Sequence, residues 1–377
     1  MKTPEKIKHL MNQRRENMRV RTLLTPVSDL IDFWSNDYLG LAGNKELQHS
    51  FLKHLENRDD QFLFGSAGSR LVSGNHPVFD EAEADLALHF NAEAALLFPS
   101  GYMANLAFCS SVPQKNDLVL YDGEIHASIK ASLRQSHADI RSFKHNDLND
   151  LEKKLKGRQS EVYVMVESIY SISGDMAPLG ELSDFCRSHS CRLIVDEAHS
   201  TGIYGPAGRG LCVECGIEDS VFARVYTFGK AVGTAGAILT CSNEIREYLI
   251  NFAIPFVYST AMPPVQVHSI MYNLNFIKKN EDLVESLKKN LAFFKQSAER
   301  NGCNELFSNF HHILNMQTGS DKQAVKLAKA LRNHGFMVKA MLPPTVPETE
   351  SSLRIILHSF NSMAEIENFF LHVKKLF

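Results

Sequence analysis

Between residues 44 and 260 the chain alternates brief β-rich runs, at 94–98, 117–121, 162–166, 192–195, 224–227 and 237–240, with helical stretches such as 77–90 and 146–156. No other feature constrains the fold as much. Strands separated by helices pair in parallel, and helices then cover both faces of the sheet. The expected class is α/β, with a mostly parallel sheet flanked by helices. Ligands meet such a sheet at the carboxyl ends of its strands, so the residues that close each run are the candidates for chemistry.

Two run ends stand out. The stretch R-L-I-V-D-E-A-H-S-T-G (192–202) closes on Asp196 and Glu197 and adds His199. The stretch R-V-Y-T-F-G-K-A-V-G-T-A-G (224–236) closes on Thr227 and reaches Lys230 among small residues. A carboxylate, an imidazole, a hydroxyl and an amine at two strand ends suit pyridoxal 5'-phosphate (PLP). This cofactor needs an amine for its aldehyde and an acid to keep its ring nitrogen protonated, so that the ring withdraws electrons. Its phosphate needs hydroxyls and backbone N–H groups. Each residue also has a plainer reading: a lysine at a strand–turn junction is often merely solvated, an acid there caps a helix, and a lone histidine is usually structural. Their coincidence favours the cofactor.

Three further stretches add candidates. In F-P-S-G-Y-M-A-N (98–105) a strand passes into a helix through Ser100, Gly101 and Tyr102, a natural anion site or an ordinary turn. His126, in Y-D-G-E-I-H-A-S, is placed to stack on a ring. Arg354, in S-L-R-I-I-L, is either a carboxylate ligand using its planar fork or an edge-strand arginine.

At 377 residues the chain exceeds what one core supports, about 250–300 residues. We expect an N-terminal helix and arm over 1–43, with the helix running to about Arg21, and a large domain over 44–260. A smaller α+β domain over 261–377 should follow, opened by one long helix at 264–301. Its strands are expected at 313–317, 336–340 and 352–357, with helices at 323–334 and at the end of the chain. A net charge of −3 gives no electrostatic reason for nucleic acid as a partner. No apolar run is long enough to span a bilayer and no secretory leader is legible. Seven scattered cysteines suit a reducing cytoplasm, and Cys212-Val-Glu-Cys215 lacks the second pair a zinc site needs, so no metal is expected.

Taken together, several stretches resemble the α-oxoamine synthases of the fold-type-I PLP enzymes over nearly the whole chain. They are S-N-D-Y-L-G-L (35–41), G-S-A-G-S-R-L-V-S-G-N (65–75), S-G-Y-M-A-N, H-A-S, E-S-I-Y-S-I-S-G-D-M-A-P-L (167–179), V-D-E-A-H-S-T-G, G-R-G, T-F-G-K, Y-S-T-A-M-P-P (258–264) and P-P-T-V-P (343–347). The resemblance implies that Lys230 holds the cofactor, that Asp196 pairs with its ring nitrogen, and that His199 meets its phenolic oxygen. It implies that His126 stacks on the ring and that Ser171 contacts it. Gly101, Tyr102 and Thr227 fall at phosphate positions, with Tyr102 where phenylalanine is usual. Ser259 and Thr260 match positions that reach the phosphate of a second subunit, which implies a homodimer with shared sites. Asn36 and Arg354 match substrate-carboxylate binders, while Arg21 and Thr345 match residues of the acyl side. Residues 348–352, E-T-E-S-S, depart from the family's small-residue stretch.

The activity implied is a decarboxylative condensation of an amino acid with an acyl thioester. The P-P-T-V-P loop resembles the biotin-pathway branch, which joins L-alanine to a pimeloyl group carried on coenzyme A or a carrier protein. The other branches make 2-amino-3-ketobutyrate, 5-aminolevulinate, sphingoid bases or quorum signals. An inactive partner subunit is the remaining alternative.

Overall fold

The computed structural model describes residues 3–17, 19–25, 29–56, 58, 63–156 and 160–376. Its strands, in chain order, are β1 (Ile31–Asp32), β2 (Ala94–Phe98), β3 (Leu118–Asp122), β4 (Asp139–Phe143), β5 (Val162–Glu167) and β6 (Arg192–Asp196). They continue with β7 (Ala223–Thr227), β8 (Ala237–Cys241), β9 (Ile313–Gln317), β10 (Phe336–Met337), β11 (Lys339–Met341) and β12 (Ser352–Ile356). The chain divides into two units: residues 36–171 and 175–285 form one, and residues 1–35, 172–174 and 286–377 the other.

The first unit holds a seven-stranded sheet in the order β2-β8-β7-β6-β5-β3-β4. All its pairings are parallel except those of β8, which runs against both β2 and β7. β2, β5 and β8 are buried at every position, as expected for strands covered on both faces. The core includes Leu96, Phe98, Phe108, Val119, Ile194, Val225 and Leu239. β4, D-I-R-S-F, is an edge strand with two exposed positions, too polar for its sequence to read as a strand. Because β2, β3, β5, β6 and β7 run the same way, Phe98, Asp122, Glu167, Asp196 and Thr227 end strands at one edge of the sheet.

In the second unit β11, β12 and β9 form an antiparallel sheet, and β1 pairs in parallel with β10. Phe33, Phe294, Phe336 and Phe369 pack there as an aromatic core. Three expectations need correction. The stretch 336–340 is two short strands, β10 and β11. The helix expected over 264–301 is two helices, Pro264–Lys279 and Asp282–Arg300. They part at Asn280, which leaves helical geometry (φ −130, ψ 63) while its side chain donates to the Phe276 carbonyl at 2.7 Å. Asparagine competes for backbone partners in this way and so interrupts helices. The N-terminal helix is also shorter than expected, Glu5–Glu16; Met18 lies outside the described residues. Among the described residues, no helix is long and apolar enough to cross a membrane.

Candidate active site

Asp196 and Glu197 are adjacent acids that do different things. Asp196, only 6% exposed, accepts from the Asn105 amide at 2.9 Å and from the Ala198 N–H at 2.9 Å. Glu197 is fully buried and serves the chain itself. Its carboxylate accepts from the N–H groups of Leu211 (3.0 Å) and Cys212 (2.7 Å) and from the Ser200 hydroxyl. Gly210 makes that possible: at φ +94 it lies so close that a Cβ would meet the Glu197 carboxylate at 2.9 Å. The G-R-G motif is thus a fold device.

His199 lies one turn beyond Asp196 and is 4% exposed. Its Nε2 is 3.0 Å from Lys230 Nζ, and its Nδ1 is 2.6 Å from the Tyr38 hydroxyl. Tyr38, wholly buried, donates in turn to Asn36 Oδ1 at 3.1 Å. Four residues spread over Asn36–Lys230 therefore form one hydrogen-bonded line.

Gly101 opens the helix Gly101–Ser111, which Ser100 caps by accepting from the Met103 N–H at 3.3 Å. A Cβ on Gly101 would meet Thr227 Cγ2 at 2.5 Å, so only glycine lets this helix start reach the end of β7. First-turn N–H groups have no partner within their own helix and point at whatever lies beyond. Tyr102 is half exposed.

His126 caps the helix Ala127–Leu133, its Nδ1 2.8 Å from Ser128 Oγ. Asn105 links Ser128 (3.4 Å) to Asp196, so a polar path joins His126 to Asp196. Glu167 ends β5 directly opposite Asp196 in the strand register, and its Oε1 is buried with no hydrogen-bond partner. Burial, with the Asp196 carboxylate alongside, pushes the Glu167 carboxyl well above the usual range. Ser171 follows on the turn after β5, half-buried.

Behind this edge, His145 bridges Asp122 (2.9 Å) and Asp175 (2.7 Å). Burial works against its charge, yet the hydrogen bonds to the two aspartates raise its pKa to about 10. Glu124, His145 and Asp175 come close enough to hold a metal ion, but the two aspartates already engage both ring nitrogens, so we read an ion-pair cluster. The Cys212–Cys215 pair belongs to no such group among the described residues, and all seven cysteines are free.

Two motifs that the resemblance rests on prove to be neighbours. The Ala261 N–H donates to the Gly68 carbonyl at 2.9 Å and Ser66 Oγ to the Met262 carbonyl at 2.6 Å, which ties Y-S-T-A-M-P-P to G-S-A-G-S-R. Ser259 is half-buried there and Thr260 exposed. Arg70 of the same loop binds the buried Glu83, which also accepts from Arg246 and the Leu97 N–H.

In the second unit, Arg21 donates to Thr345 Oγ1 at 2.9 Å, although 324 residues separate them. Arg19 grips Asp321 (2.9 Å) and Glu348 (2.5 Å). Arg354 is half-buried on β12, the middle strand of its sheet, which rules out the edge-strand alternative.

The chain matches the aminotransferase class I and II family over residues 28–370. It belongs to that family. An 8-amino-7-oxononanoate synthase of Emericella nidulans is 36% identical over 377 aligned residues, covering 94% of this chain and 91% of the relative. One from Chlorobaculum parvum is 35% identical and covers 90% and 87%. Among solved structures, an 8-amino-7-oxononanoate synthase of Francisella tularensis superposes with a TM-score of 0.80 at 29% identity, covering 93% and 98%. A PLP-bound serine palmitoyltransferase of S. paucimobilis reaches 0.89 at 25% identity, covering 100% and 98%. The fold is that of the fold-type-I PLP transferases, as the motif resemblance implied, and its mostly parallel sheet is what the strand–helix alternation indicated. Of the residues that build the site, sequence reasoning gave no role to Tyr38, Asn105 or Glu167. Asn105 sits one turn past Gly101 on the same helix, a spacing that could have flagged it. Tyr38 and Glu167 carry no comparable local signal.

Proposed function

We propose that this family member is an 8-amino-7-oxononanoate synthase, a PLP-dependent acyltransferase. It condenses L-alanine with a pimeloyl thioester and releases 8-amino-7-oxononanoate, CO2 and the free thiol carrier, a step of biotin biosynthesis. The relatives of that name, matched over about nine-tenths of the chain, support the choice within the family. Backbone likeness is higher to serine palmitoyltransferase, but family members share that scaffold, so we give the sequence the greater weight.

The observation that carries the chemistry is Lys230 Nζ, 3.0 Å from His199 Nε2, beside the buried Asp196. The residues present fit PLP. Lys230 supplies the amine that carries it, Asp196 a carboxylate for its ring nitrogen, His199 a partner for its phenolic oxygen, and His126 and Ser171 its ring contacts. Gly101, Tyr102 and Thr227 supply the phosphate cradle that a Cβ at Gly101 would fill. PLP, when bound, provides an electron sink for the carbanion the reaction needs.

The chain's own contribution is to orient and to move protons. Lys230 Nζ takes the α-proton of alanine and returns a proton after decarboxylation. The Asp196 carboxylate, held by Asn105, stabilises positive charge opposite it. Arg354 and Asn36 bind the alanine carboxylate, and Arg21 with Thr345 shapes the acyl side. We further read the enzyme as a cytoplasmic homodimer in which Ser259 and Thr260 serve the second subunit's phosphate. The exposed Ile254 and Tyr258 beside that segment support this reading. Complementation of a biotin auxotroph lacking the synthase tests the assignment. Growth supports it; failure, with purified enzyme turning over glycine and acetyl thioester faster, moves it to the ketobutyrate branch.

A further inference from the structure

His145 meets a carboxylate at each ring nitrogen, Asp122 at Nδ1 (2.9 Å) and Asp175 at Nε2 (2.7 Å). Asp122, wholly buried, also accepts from the Glu124 and Asn146 N–H groups at 2.8 and 2.9 Å, which favours its ionised form. Ionised carboxylates only accept hydrogen bonds, so both ring nitrogens donate and the imidazole is a cation. The next residue serves the same pair. Asn146, at φ +52, sends its side-chain amide to Asp175 Oδ2 at 3.0 Å and to the Met176 carbonyl at 3.2 Å. Asparagine enters that left-handed region more readily than most residues.

The two aspartates lead directly to proposed ring contacts. Asp122 ends β3, and its Oδ1 and carbonyl accept from the N–H groups of Glu124 (2.8 Å) and Ile125 (3.1 Å). The Gly123 N–H donates to the Phe143 carbonyl at 2.9 Å. This pinned turn delivers His126, the next residue. On the turn after β5, the Asp175 carbonyl accepts from the Tyr170 N–H at 3.0 Å, and Ile169 bridges Met176. The Tyr170 ring stands edge-on to the His145 ring, centroids 4.4 Å apart, and Ser171 follows it. In the sheet order β5-β3-β4, one residue from the loop after the edge strand thus joins the ends of the next two strands.

We propose that His145 is a positioning residue for the cofactor: through Asp122 and Asp175 it fixes the turn carrying His126 and the turn carrying Ser171 relative to each other. The proposal rests on our reading of His126 and Ser171 as ring contacts. A bound ring needs such contacts held at one spacing, to about 0.5 Å, by the residues behind them. Each turn's own backbone bonds fix only that turn. With the bridge broken the two turns shift independently, and the ring is held less tightly and in less uniform surroundings.

The test compares His145→Gln with the wild-type enzyme where denaturant titrations show both fully folded. Glutamine presents one N–H2 end and one carbonyl end, so it does not donate to both carboxylates. Full-length enzyme is stripped of PLP and titrated with it, reading the dissociation constant and the circular dichroism of the cofactor's absorption band. PLP is achiral, so that band reports how its surroundings hold it. His145→Gln should raise Kd about tenfold, the scale of one lost charge-assisted hydrogen bond, and weaken the band. Asp175→Asn should do the same, and the double variant should add little, because both changes break one link. If His145→Gln does not fold, Asp175→Asn, at a half-buried position, decides alone. A merely structural His145 would leave Kd and band unchanged in the folded variant, and that result, or full additivity, overturns the proposal. His126→Ala and Ser171→Ala test the reading beneath it. If both keep wild-type Kd and band, that reading fails and takes the proposal with it; a change in either, with none in His145→Gln, overturns the proposal alone. Neither readout uses substrate, so a failed assignment as 8-amino-7-oxononanoate synthase would show only in the product.

Discussion

The two groups of candidate residues are built on opposite principles. In the larger unit Asp196, His199 and Tyr38 are buried, and each is held by a named partner: Asn105, Lys230 and Asn36. In the smaller unit Arg21, Thr345 and Glu348 are exposed, and Arg21–Thr345 and Arg19–Glu348 join side chains at the surface. Buried, fully partnered groups are fixed before any ligand arrives and are felt strongly in low dielectric. Exposed ion pairs contribute little and are screened by salt. The chemistry we propose for the cofactor thus falls to the rigid network. The residues we propose for the acyl side sit where substitution costs the fold least, next to the E-T-E-S-S stretch.

If that contrast holds, substitutions in the buried network should be far more damaging to turnover than those at the surface. Lys230→Ala should abolish borohydride trapping of the cofactor and lower turnover on the order of 10⁴-fold or more, read by peptide mapping and kinetics. Trapping at another lysine would break the scheme. Asp196→Asn should keep the fold and the bound cofactor, yet lower kcat on the order of 10²–10³-fold. Wild-type turnover in that variant would remove Asp196 from its role.

His145 gives a stability test with a definite sign. Its folded-state value of about 10 lies above the ordinary 6.5, so its stabilising effect is complete below about pH 6.5 and is lost as pH rises through 10. His145→Gln should cost about 2 kcal/mol at neutral pH, since the buried Asp122 loses its counter-charge, and the gap to wild type should close above pH 10 in denaturant titrations. A gap independent of pH would contradict the charged bridge. The smallest effect belongs to the surface: Arg19→Ala should raise KM for the acyl donor about threefold, with kcat unchanged and the difference fading in high salt.

The sheet was legible because buried parallel strands such as A-A-L-L-F and V-Y-V-M-V-E read as continuous apolar runs between helices. β4 was not, since an edge strand with Arg141 and Ser142 exposed carries no such run. The break at Asn280 was hidden because the residues on both sides suit a helix and the interruption depends on one side chain's choice of partner. Of the candidate residues, Asp196, His199 and Lys230 stood out in the sequence as polar residues at or just past the ends of apolar strands, β6 and β7. Tyr38 did not, because its partner is set by tertiary folding across 161 residues. Nor did Glu167, whose carboxyl is raised first by burial and then by lying opposite Asp196 in the sheet register. Local chemistry can be read along the chain, whereas partners brought together by the sheet need the fold.

The most direct test is a product screen by mass spectrometry. Purified enzyme loaded with PLP is offered alanine, glycine or serine against pimeloyl, acetyl, succinyl and palmitoyl thioesters in one competition series. The account predicts 8-amino-7-oxononanoate from alanine and the pimeloyl thioester as the dominant product, lost in Lys230→Ala. A dominant product from glycine or serine, or from any other acyl donor, would contradict it.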